Sequence, residues 1–251
     1  MTNSYRQSHT QTGHGQMYDT ALYAAGAYDA EIWRLEQPVL SGILRRHFPD
    51  GIPDLLDFAC GTGRILSFVR PAAASATGVD VSEAMIREAR TKVKDARLIL
   101  GDVTTDPTVL PAGTDFDCVT CFRFFLNAEP ALRDAGVRAV AGVLRRDGKF
   151  VFNNHGNRTS LLRLVVGIRK LLGMETQNVL ACRELEALVE RHGFRVIETH
   201  SVCFMPRIVA RLLPRGLWTF VERTLGGIAF LRRFGIYQIH VAERILAGQH
   251  A

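Results

Sequence analysis

The chain has 251 residues, of which 47% are hydrophobic and 22% charged, and its formal net charge is +6. These proportions exclude a disordered, collagen-like or disulfide-stapled chain and are typical of one globular domain. The five cysteines are scattered, and we find neither a secretory leader nor an apolar run long enough to span a bilayer. We therefore expect a soluble, cytoplasmic protein with reduced thiols.

Residues 1–16 are polar, and apolar residues then recur at helical spacing up to His47. This pattern predicts an N-terminal tail and helical lid over residues 1–48. Short apolar runs then alternate with helical segments. Strands are predicted at Leu55–Ala59, Thr77–Asp80, Leu98–Leu100, Phe116–Phe122, Lys149–Asn153, Phe194–Phe204 and Ile236–Ala242. The alternation predicts an α/β, Rossmann-like, mostly parallel seven-stranded sheet with helices on both faces.

Two helical segments, at about 158–173 and 206–234, interrupt this alternation after the fifth and sixth strands. They are predicted to cover one end of the sheet within a domain that spans residues 49–251. The charge is uneven, since residues 151–251 hold 14 Lys and Arg against 7 Asp and Glu, whereas residues 1–150 hold 17 against 18. Such asymmetry predicts an acidic partner, ligand or membrane surface for the C-terminal part, or else a solvated helix face.

A glycine-rich turn follows the first predicted strand, with the sequence Asp-Phe-Ala-Cys-Gly-Thr-Gly-Arg over residues 57–64. Glycine is needed where the backbone turns tightly and where a ligand lies against the main chain. The dinucleotide fingerprint requires a third small residue, and Leu66 occupies that position, which argues against NAD. The Walker sequence Gly-Lys-Ser/Thr is absent from the turn.

Three aspartates lie at the ends of consecutive predicted strands. Asp80 ends the second strand, where a carboxylate accepts from both hydroxyls of a ribose. Asp102 follows the third strand and can accept from the exocyclic amine of adenine. Asp57 lies beside the glycine turn, where it can fix the turn or receive an ammonium group. Because open α/β sheets bind ligands at the carboxyl edge of their strands, these residues predict one ligand site.

Five motifs in this order closely resemble the class I S-adenosylmethionine-dependent methyltransferases. They begin at Asp57, Gly78, Gly101, Phe116 and Val143. The resemblance implies S-adenosylmethionine as the cofactor, S-adenosylhomocysteine as the product, and no metal. It also implies a set of cofactor-binding residues: Asp57, Ala59, Cys60, Gly61, Gly63, Arg64, Asp80, Val81, Met85, Asp102, Val103 and Phe122.

Within that resemblance, the catalytic groups are expected at the ends of the fourth and fifth strands. His155 is the candidate general base, although a loop histidine can also serve only as a hydrogen-bonding group. The candidate substrate-binding residues are Tyr18, Arg123, Asn127, Asn153 and Asn154. Each of them has a structural alternative, such as closing a turn, pairing with an acid or simple packing. Cys118 and Cys121 face opposite sides of a predicted strand, so we expect core thiols and not a metal site.

The sequence predicts O-methylation of a small-molecule acceptor, namely a hydroxyl of a natural product, a sugar or a lipid-like compound. The alternatives are a membrane-associated lipid or quinone methyltransferase and a cofactor-binding partner protein without turnover, with RNA methylation less favoured than either. The basic, aromatic-rich helices at 206–234 fit either a substrate-site cover or a peripheral membrane contact. Nucleic acid is not expected as a partner, because the arginines alternate with aliphatic residues and not with stacking platforms. The sequence leaves the oligomeric state open.

Overall fold

The computed structural model describes residues 27–111, 113–160 and 179–245, together with the single positions 163, 167, 171 and 173. The predicted N-terminal tail, Tyr18 and most of the first helical insertion lie outside these residues. We number the described strands and α-helices in chain order. The strands are β1 (Ile52–Phe58), β2 (Ala73–Asp80), β3 (Arg97–Leu100), β4 (Phe116–Cys121), β5 (Leu144–Asn154), β6 (Phe194–Cys203) and β7 (Tyr237–Arg244). The helices are α1 (Tyr28–His47), α2 (Arg64–Val69), α3 (Glu83–Lys92), α4 (Pro130–Val143), α5 (Cys182–Glu190), α6 (Arg207–Leu212) and α7 (Arg215–Gly227).

These strands form one seven-stranded sheet in the order β3-β2-β1-β4-β5-β7-β6. Neighbouring strands from β3 to β5 are parallel, and β7 is antiparallel to both β5 and β6. The predicted Rossmann-like, mostly parallel sheet is therefore confirmed. Because β6 points in the same direction as β1–β5, all six of these strands end at one edge of the sheet. That carboxyl edge is where an open α/β sheet binds its ligands.

Helix α1, the described part of the predicted lid segment, packs into the core. Its buried side chains, which include Ile32, Leu40 and Ile43, pack in one apolar cluster with residues of β1 and β7. Burial of a side chain of this size contributes about 1.5–3 kcal/mol to folding. The described part of the predicted lid is thus fixed to the sheet, because its apolar face packs in this core cluster.

Several local predictions are confirmed by the side-chain contacts. The Ser82 hydroxyl accepts from the backbone N–H of Met85 and so caps α3, which leads away from the end of β2. Cys118 and Cys121 are both free and buried, as are the other three cysteines. They act as small apolar residues in the core.

The second helical insertion is the most complete part of the predicted cover. It consists of α6, α7 and a 3-10 helix at Ala229–Phe234, and it begins directly after the carboxyl end of β6. The buried Glu222 carboxylate holds it in place, accepting from the backbone N–H groups of Phe204 and Met205 at 2.7 and 3.0 Å and from the Trp218 indole at 3.0 Å. Within the described part of the chain, no helix has both the length and the apolar character needed to cross a bilayer.

The buried histidine of β7 predicts a stability loss in acid. The His240 imidazole is inaccessible to solvent, stacks on Phe152 and lies 3.0 Å from the Thr199 hydroxyl. Burial lowers the pKa of His240 to about 3. Below pH 6.5 the unfolded chain therefore binds a proton at this position that the folded chain does not bind. This histidine contributes a fall in the free energy of unfolding of up to about 1.4 kcal/mol per pH unit as the pH drops.

We expect His240→Gln to be less sensitive to acid than the parent protein. Glutamine keeps a hydrogen-bonding group near Thr199 but does not titrate. Urea unfolding at pH 7.5, 6.0 and 5.0 measures the effect. As the pH falls, the free energy of unfolding should decrease more for the parent than for the variant. Parallel pH dependences would contradict the assignment.

Candidate active site

A cleft at the carboxyl edge of β1, β2 and β3 forms the centre of the site. It encloses about 460 Å³, counting space open to solvent. Its lining is Phe58, Ala59, Val79, Asp80, Val81, Gly101, Asp102, Val103, Thr104, Phe124 and Leu132. Five residues predicted to bind the cofactor thus share one cleft, namely Ala59, Asp80, Val81, Asp102 and Val103. Their strands are neighbours in the sheet, so residues that are distant in sequence meet here.

The glycine turn between β1 and α2 adopts left-handed backbone angles at three alternate positions. The φ angles are +55° at Ala59, +53° at Gly61 and +76° at Gly63. A Cβ atom on Gly61 would meet no heavy atom within 4 Å, whereas one on Gly63 would approach the Cβ of Ala89 in α3 at 3.2 Å. Gly61 therefore leaves its backbone face open to a ligand, and Gly63 allows two helices to pack closely.

Asp80 connects this turn to the end of β2. One of its carboxylate oxygens accepts from the Gly61 N–H at 2.8 Å, and the other accepts from the Ser82 N–H at 2.9 Å. Burial raises the pKa of this carboxyl, and the backbone N–H bonds act in the opposite direction. A carboxylate oxygen can accept more than one hydrogen bond, so Asp80 can fix the turn and still receive ligand hydroxyls in the cleft.

Asp102 and Val103 form the opposite wall of the cleft, after β3. An oxygen of Asp102 accepts from both the backbone N–H and the hydroxyl of Thr104, at 3.0 and 2.5 Å. These bonds fix the orientation of the carboxylate. Val103 is buried beside it and provides an apolar surface. A fixed acceptor next to an apolar surface suits a flat heteroaromatic ring.

Asp57 lies beneath the glycine turn with one carboxylate oxygen lacking a bonding partner. The Thr120 hydroxyl donates to Oδ1 at 2.6 Å, but the buried Oδ2 has no hydrogen bond from any described residue. Burial raises the pKa of Asp57 to about 7, although the Thr120 hydroxyl, the charge of Arg64 and the backbone N–H of Leu66 counteract this rise. A buried acceptor without a donor is unusual, and a ligand ammonium group would satisfy it.

A buried polar cluster joins α1 to this edge of the sheet. The Glu36 carboxylate is completely buried, with Oε2 3.8 Å from an Arg64 nitrogen and 4.0 Å from an Arg123 nitrogen. Its other oxygen accepts from the Asn153 amide at 3.3 Å. The Arg64 guanidinium also lies over the Trp33 ring at 4.4 Å. The cluster holds two cationic groups beside the glycine turn and the end of β4.

Arg123 is held in a left-handed conformation, with a φ angle of +63°. Its backbone N–H donates to the Asn153 amide oxygen at 2.7 Å, and its guanidinium donates to Asp29 at 3.1 Å. Asn127 donates to the Arg123 carbonyl at 2.7 Å and so closes the turn after β4. Asn154 points to the other side of β5 and donates to the Leu180 carbonyl at 3.3 Å. The structure thus brings Arg123 and Asn153 together and gives Asn127 and Asn154 structural contacts.

His155 follows β5 at the same edge and is buried. Its Nδ1 has no hydrogen bond from a described residue, and its ring lies 6.4 Å from the Tyr237 ring. Burial lowers the pKa of His155 well below 6.5, and the charges of Arg123 and Arg64 lower it further. The imidazole is therefore neutral at physiological pH and can accept a proton, although its affinity for that proton is weak.

Three other predicted residues lie outside the lining of the cleft. Cys60 and Met85 are buried near the turn and at the start of α3, respectively. Phe122 packs in the apolar cluster beneath α1, while Phe124 lines the cleft. Sequence reasoning also missed Glu36. The sequence feature that could have identified it is the position of this carboxylate on the apolar face of a helix, four residues from both Ile32 and Leu40.

Residues 55–148 match a family model that is described as a methyltransferase domain. Two curated relatives are N,N-dimethyltransferases. The first, for dTDP-4-amino-2,3,4,6-tetradeoxy-D-glucose in Saccharopolyspora spinosa, is 32% identical over 111 residues, which are 44% of this chain and 41% of that protein. The second, for dTDP-3-amino-3,6-dideoxy-alpha-D-glucopyranose in Streptomyces fradiae, is 30% identical over 138 residues, which are 54% and 51% of the two chains. The chain thus spans about half the length of these relatives, or less.

The fold matches solved structures over almost the whole chain. One of them is the magnesium protoporphyrin IX methyltransferase of Synechocystis PCC 6803 with bound S-adenosylhomocysteine. The two structures superpose with a TM-score of 0.66 and share 17% sequence identity. The match covers 95% of this chain and 97% of that one. This likeness shows the fold, and the family model adds the methyltransferase domain at the residues that form the cleft. Residues 55–148 therefore form a methyltransferase domain, within a chain whose fold is similar to that of the solved methyltransferase.

Proposed function

We propose that this protein transfers a methyl group from S-adenosylmethionine to a hydroxyl of a small-molecule acceptor, such as a natural product or a sugar. The observation that carries the proposal is the donor and acceptor set along one edge of the sheet. It runs from Asp102 and Asp80 in the cleft to the open face of Gly61 and the unsatisfied oxygen of Asp57.

The residues fit this cofactor group by group. Asp102 and the Val103 backbone suit the adenine, and Asp80 suits the two ribose hydroxyls. The buried Asp57 Oδ2 suits the ammonium of the methionyl end. Arg64 is at the start of α2 beside Gly63, where its guanidinium suits a carboxylate. The bound cofactor supplies an electrophilic methyl group on a sulfonium.

The protein contributes mainly position and proton transfer. Arg123 and Asn153 are held by bonds to α1, and they can orient an acceptor at the end of β4. Alignment of two reactants in a fixed geometry supplies a large part of the rate in such reactions. His155 stays neutral and can accept the proton of the attacking hydroxyl. Burial excludes water from this histidine, which keeps the proton acceptor available.

An amine acceptor is the second candidate. It is supported by the two relatives named as N,N-dimethyltransferases of dTDP-linked amino sugars. A neutral amine needs no general base before the attack, so the weak basicity of His155 would not limit the reaction. The two candidates differ in how much they depend on this histidine.

The two glycines of the turn provide a matched pair of variants. Gly61→Ala and Gly63→Ala each place a side chain at a positive φ angle, which costs about 1 kcal/mol. The new methyl group of Gly61→Ala enters open space on the ligand side, so we expect cofactor binding to weaken at least about tenfold. Gly63→Ala crowds Ala89 and should lose more stability. Calorimetry with S-adenosylhomocysteine and thermal unfolding separate the effects, and tight binding by Gly61→Ala would contradict the assignment.

Asp80→Asn should weaken binding of S-adenosylhomocysteine by about tenfold or more, because the ribose loses a charged acceptor. The control is Asp106→Asn, since Asp106, like Asp80, accepts from a backbone N–H two residues later, here that of Thr108 at 2.9 Å, but lies outside the cleft. Calorimetry of both variants measures the difference. Equal affinity in the two variants would argue against Asp80 as the ribose-binding group.

His155→Gln tests the acceptor atom. We expect methylation of a hydroxyl to slow at least about 100-fold, while binding of S-adenosylhomocysteine is retained. Because the pKa of His155 is well below 6.5, the parent rate should not change with this group between pH 7 and 8.5. Formation of S-adenosylhomocysteine over a panel of hydroxyl and amine acceptors measures both. Unchanged turnover would exclude His155 as the base, and turnover of amines alone would support the second candidate.

A further inference from the structure

Exposed apolar side chains are concentrated in one part of the surface. Among the described residues, nine large hydrophobic side chains are exposed, and seven of them belong to the two helical insertions. These seven are Leu171, Val209, Leu212, Leu217, Phe220, Ile228 and Phe230. Leu212 is 80% exposed and Phe220 is 67% exposed. Monomeric soluble proteins rarely leave such a cluster in water unless it binds something.

The helix geometry puts these residues on the outer side of the cover. Trp218 and Glu222 are four residues apart and buried, so they define the inner face of α7. At 100° per residue, Leu217 and Phe220 point away from that face. In α6, Ala210 is buried, and Val209 and Leu212 lie on the exposed side. We call the outer side of residues 207–234 the cover face.

The cover face is also strongly basic. Residues 206–234 contain six arginines and one acid, Glu222, which is buried and bonded to the backbone after β6. Arg207, Arg211 and Arg215 line a cavity of about 590 Å³, counting open space, beside Tyr28 and Trp218. The cavity also contains Glu31, whose carboxylate pairs with Arg34 at 2.9 Å and with Arg215 at 3.5 Å. These three arginines line the side of the cover next to α1, while Arg223 and Arg233 are exposed in the same segment as the apolar side chains.

This combination selects one type of partner. A second copy of the chain would bring six arginines against six arginines, which opposes association through this face. An anionic bilayer offers negative headgroups at the level of the arginines and an apolar layer just beneath them. Amphipathic helices with aromatic and aliphatic residues on one side and arginines beside them bind at that boundary.

We infer that the cover face docks on an anionic lipid bilayer. Leu212, Leu217 and Phe220 enter the interface, and the exposed Arg211, Arg223 and Arg233 lie at the level of the headgroups. Because α6 begins after the carboxyl end of β6, docking places the edge that carries the cofactor cleft near the membrane. The inference concerns where the protein acts, so it does not depend on the acceptor atom.

Vesicle co-sedimentation of the full chain tests it. The probes are vesicles of phosphatidylcholine alone and vesicles that also contain about a third phosphatidylglycerol. We expect binding to the anionic vesicles, with a partition coefficient that falls as salt is raised. The double substitution Leu212→Ser and Phe220→Ser should reduce that coefficient at least about tenfold. The control is Ile197→Ser on β6, an exposed apolar residue outside the cover face, which should bind as the parent does.

Calorimetry with S-adenosylhomocysteine verifies that each variant is folded. This binding is independent of the bilayer, so loss of cofactor binding in the parent would contradict the proposed function without affecting the vesicle result. The inference is wrong if the parent does not bind anionic vesicles, or if the double variant binds them as well as the parent does. If the parent forms a dimer that is lost in the double variant, and the parent does not bind vesicles, the cover face binds a second copy of the chain. That result would also overturn the inference.

Discussion

The backbone of the turn between β1 and α2 is the constraint on which the site depends. Three alternate residues must adopt positive φ angles so that the chain can reverse beneath a ligand and enter α2. Glycine does this without strain at two of the positions, whereas Ala59 does it at a cost of about 1 kcal/mol or more. The Gly61 N–H bond to Asp80 then fixes the turn against the next strand. Because Asp80 at the end of β2 fixes the turn, a change in the position of the glycines would also break this bond to Asp80.

The second organising feature is the buried charge of Glu36. An isolated buried carboxylate costs several kcal/mol, and here Arg64, Arg123 and the Asn153 amide offset that cost. The same contacts hold Arg123 in its strained conformation at the end of β4. Helix α1 therefore does more than cover the sheet, since it orients polar groups next to the cofactor cleft. Its apolar face and the buried Glu36 serve these two roles separately.

The cover illustrates how one buried acid can determine the character of a surface. Glu222 bonds inward to the backbone after β6 and to Trp218, so it neither neutralises nor screens the arginines outside. Apart from two threonines and the glycines, the remaining side chains of residues 207–234 are arginines and apolar groups. A bilayer boundary satisfies both types of group at once, which water alone does not do.

The sequence by itself determined the sheet, the order of most of its elements and the cleft at the ends of β1, β2 and β3, where we propose that the cofactor binds. These features depend on local signals: apolar runs, helix caps, and glycines and aspartates at the ends of strands. Adjacent parallel strands then bring Asp80 and Asp102 together without further information. The first three strand ends were therefore readable as one site before any contact was known.

Only the tertiary structure decided which polar side chains pair with one another and which are buried. The antiparallel β7, the pairing of Glu36 with two distant arginines and the structural contacts of Asn127 and Asn154 all arise from residues far apart in sequence. The weak basicity of His155 likewise results from burial and from arginines on other elements. Such effects depend on packing in three dimensions, which residue spacing along one chain does not specify.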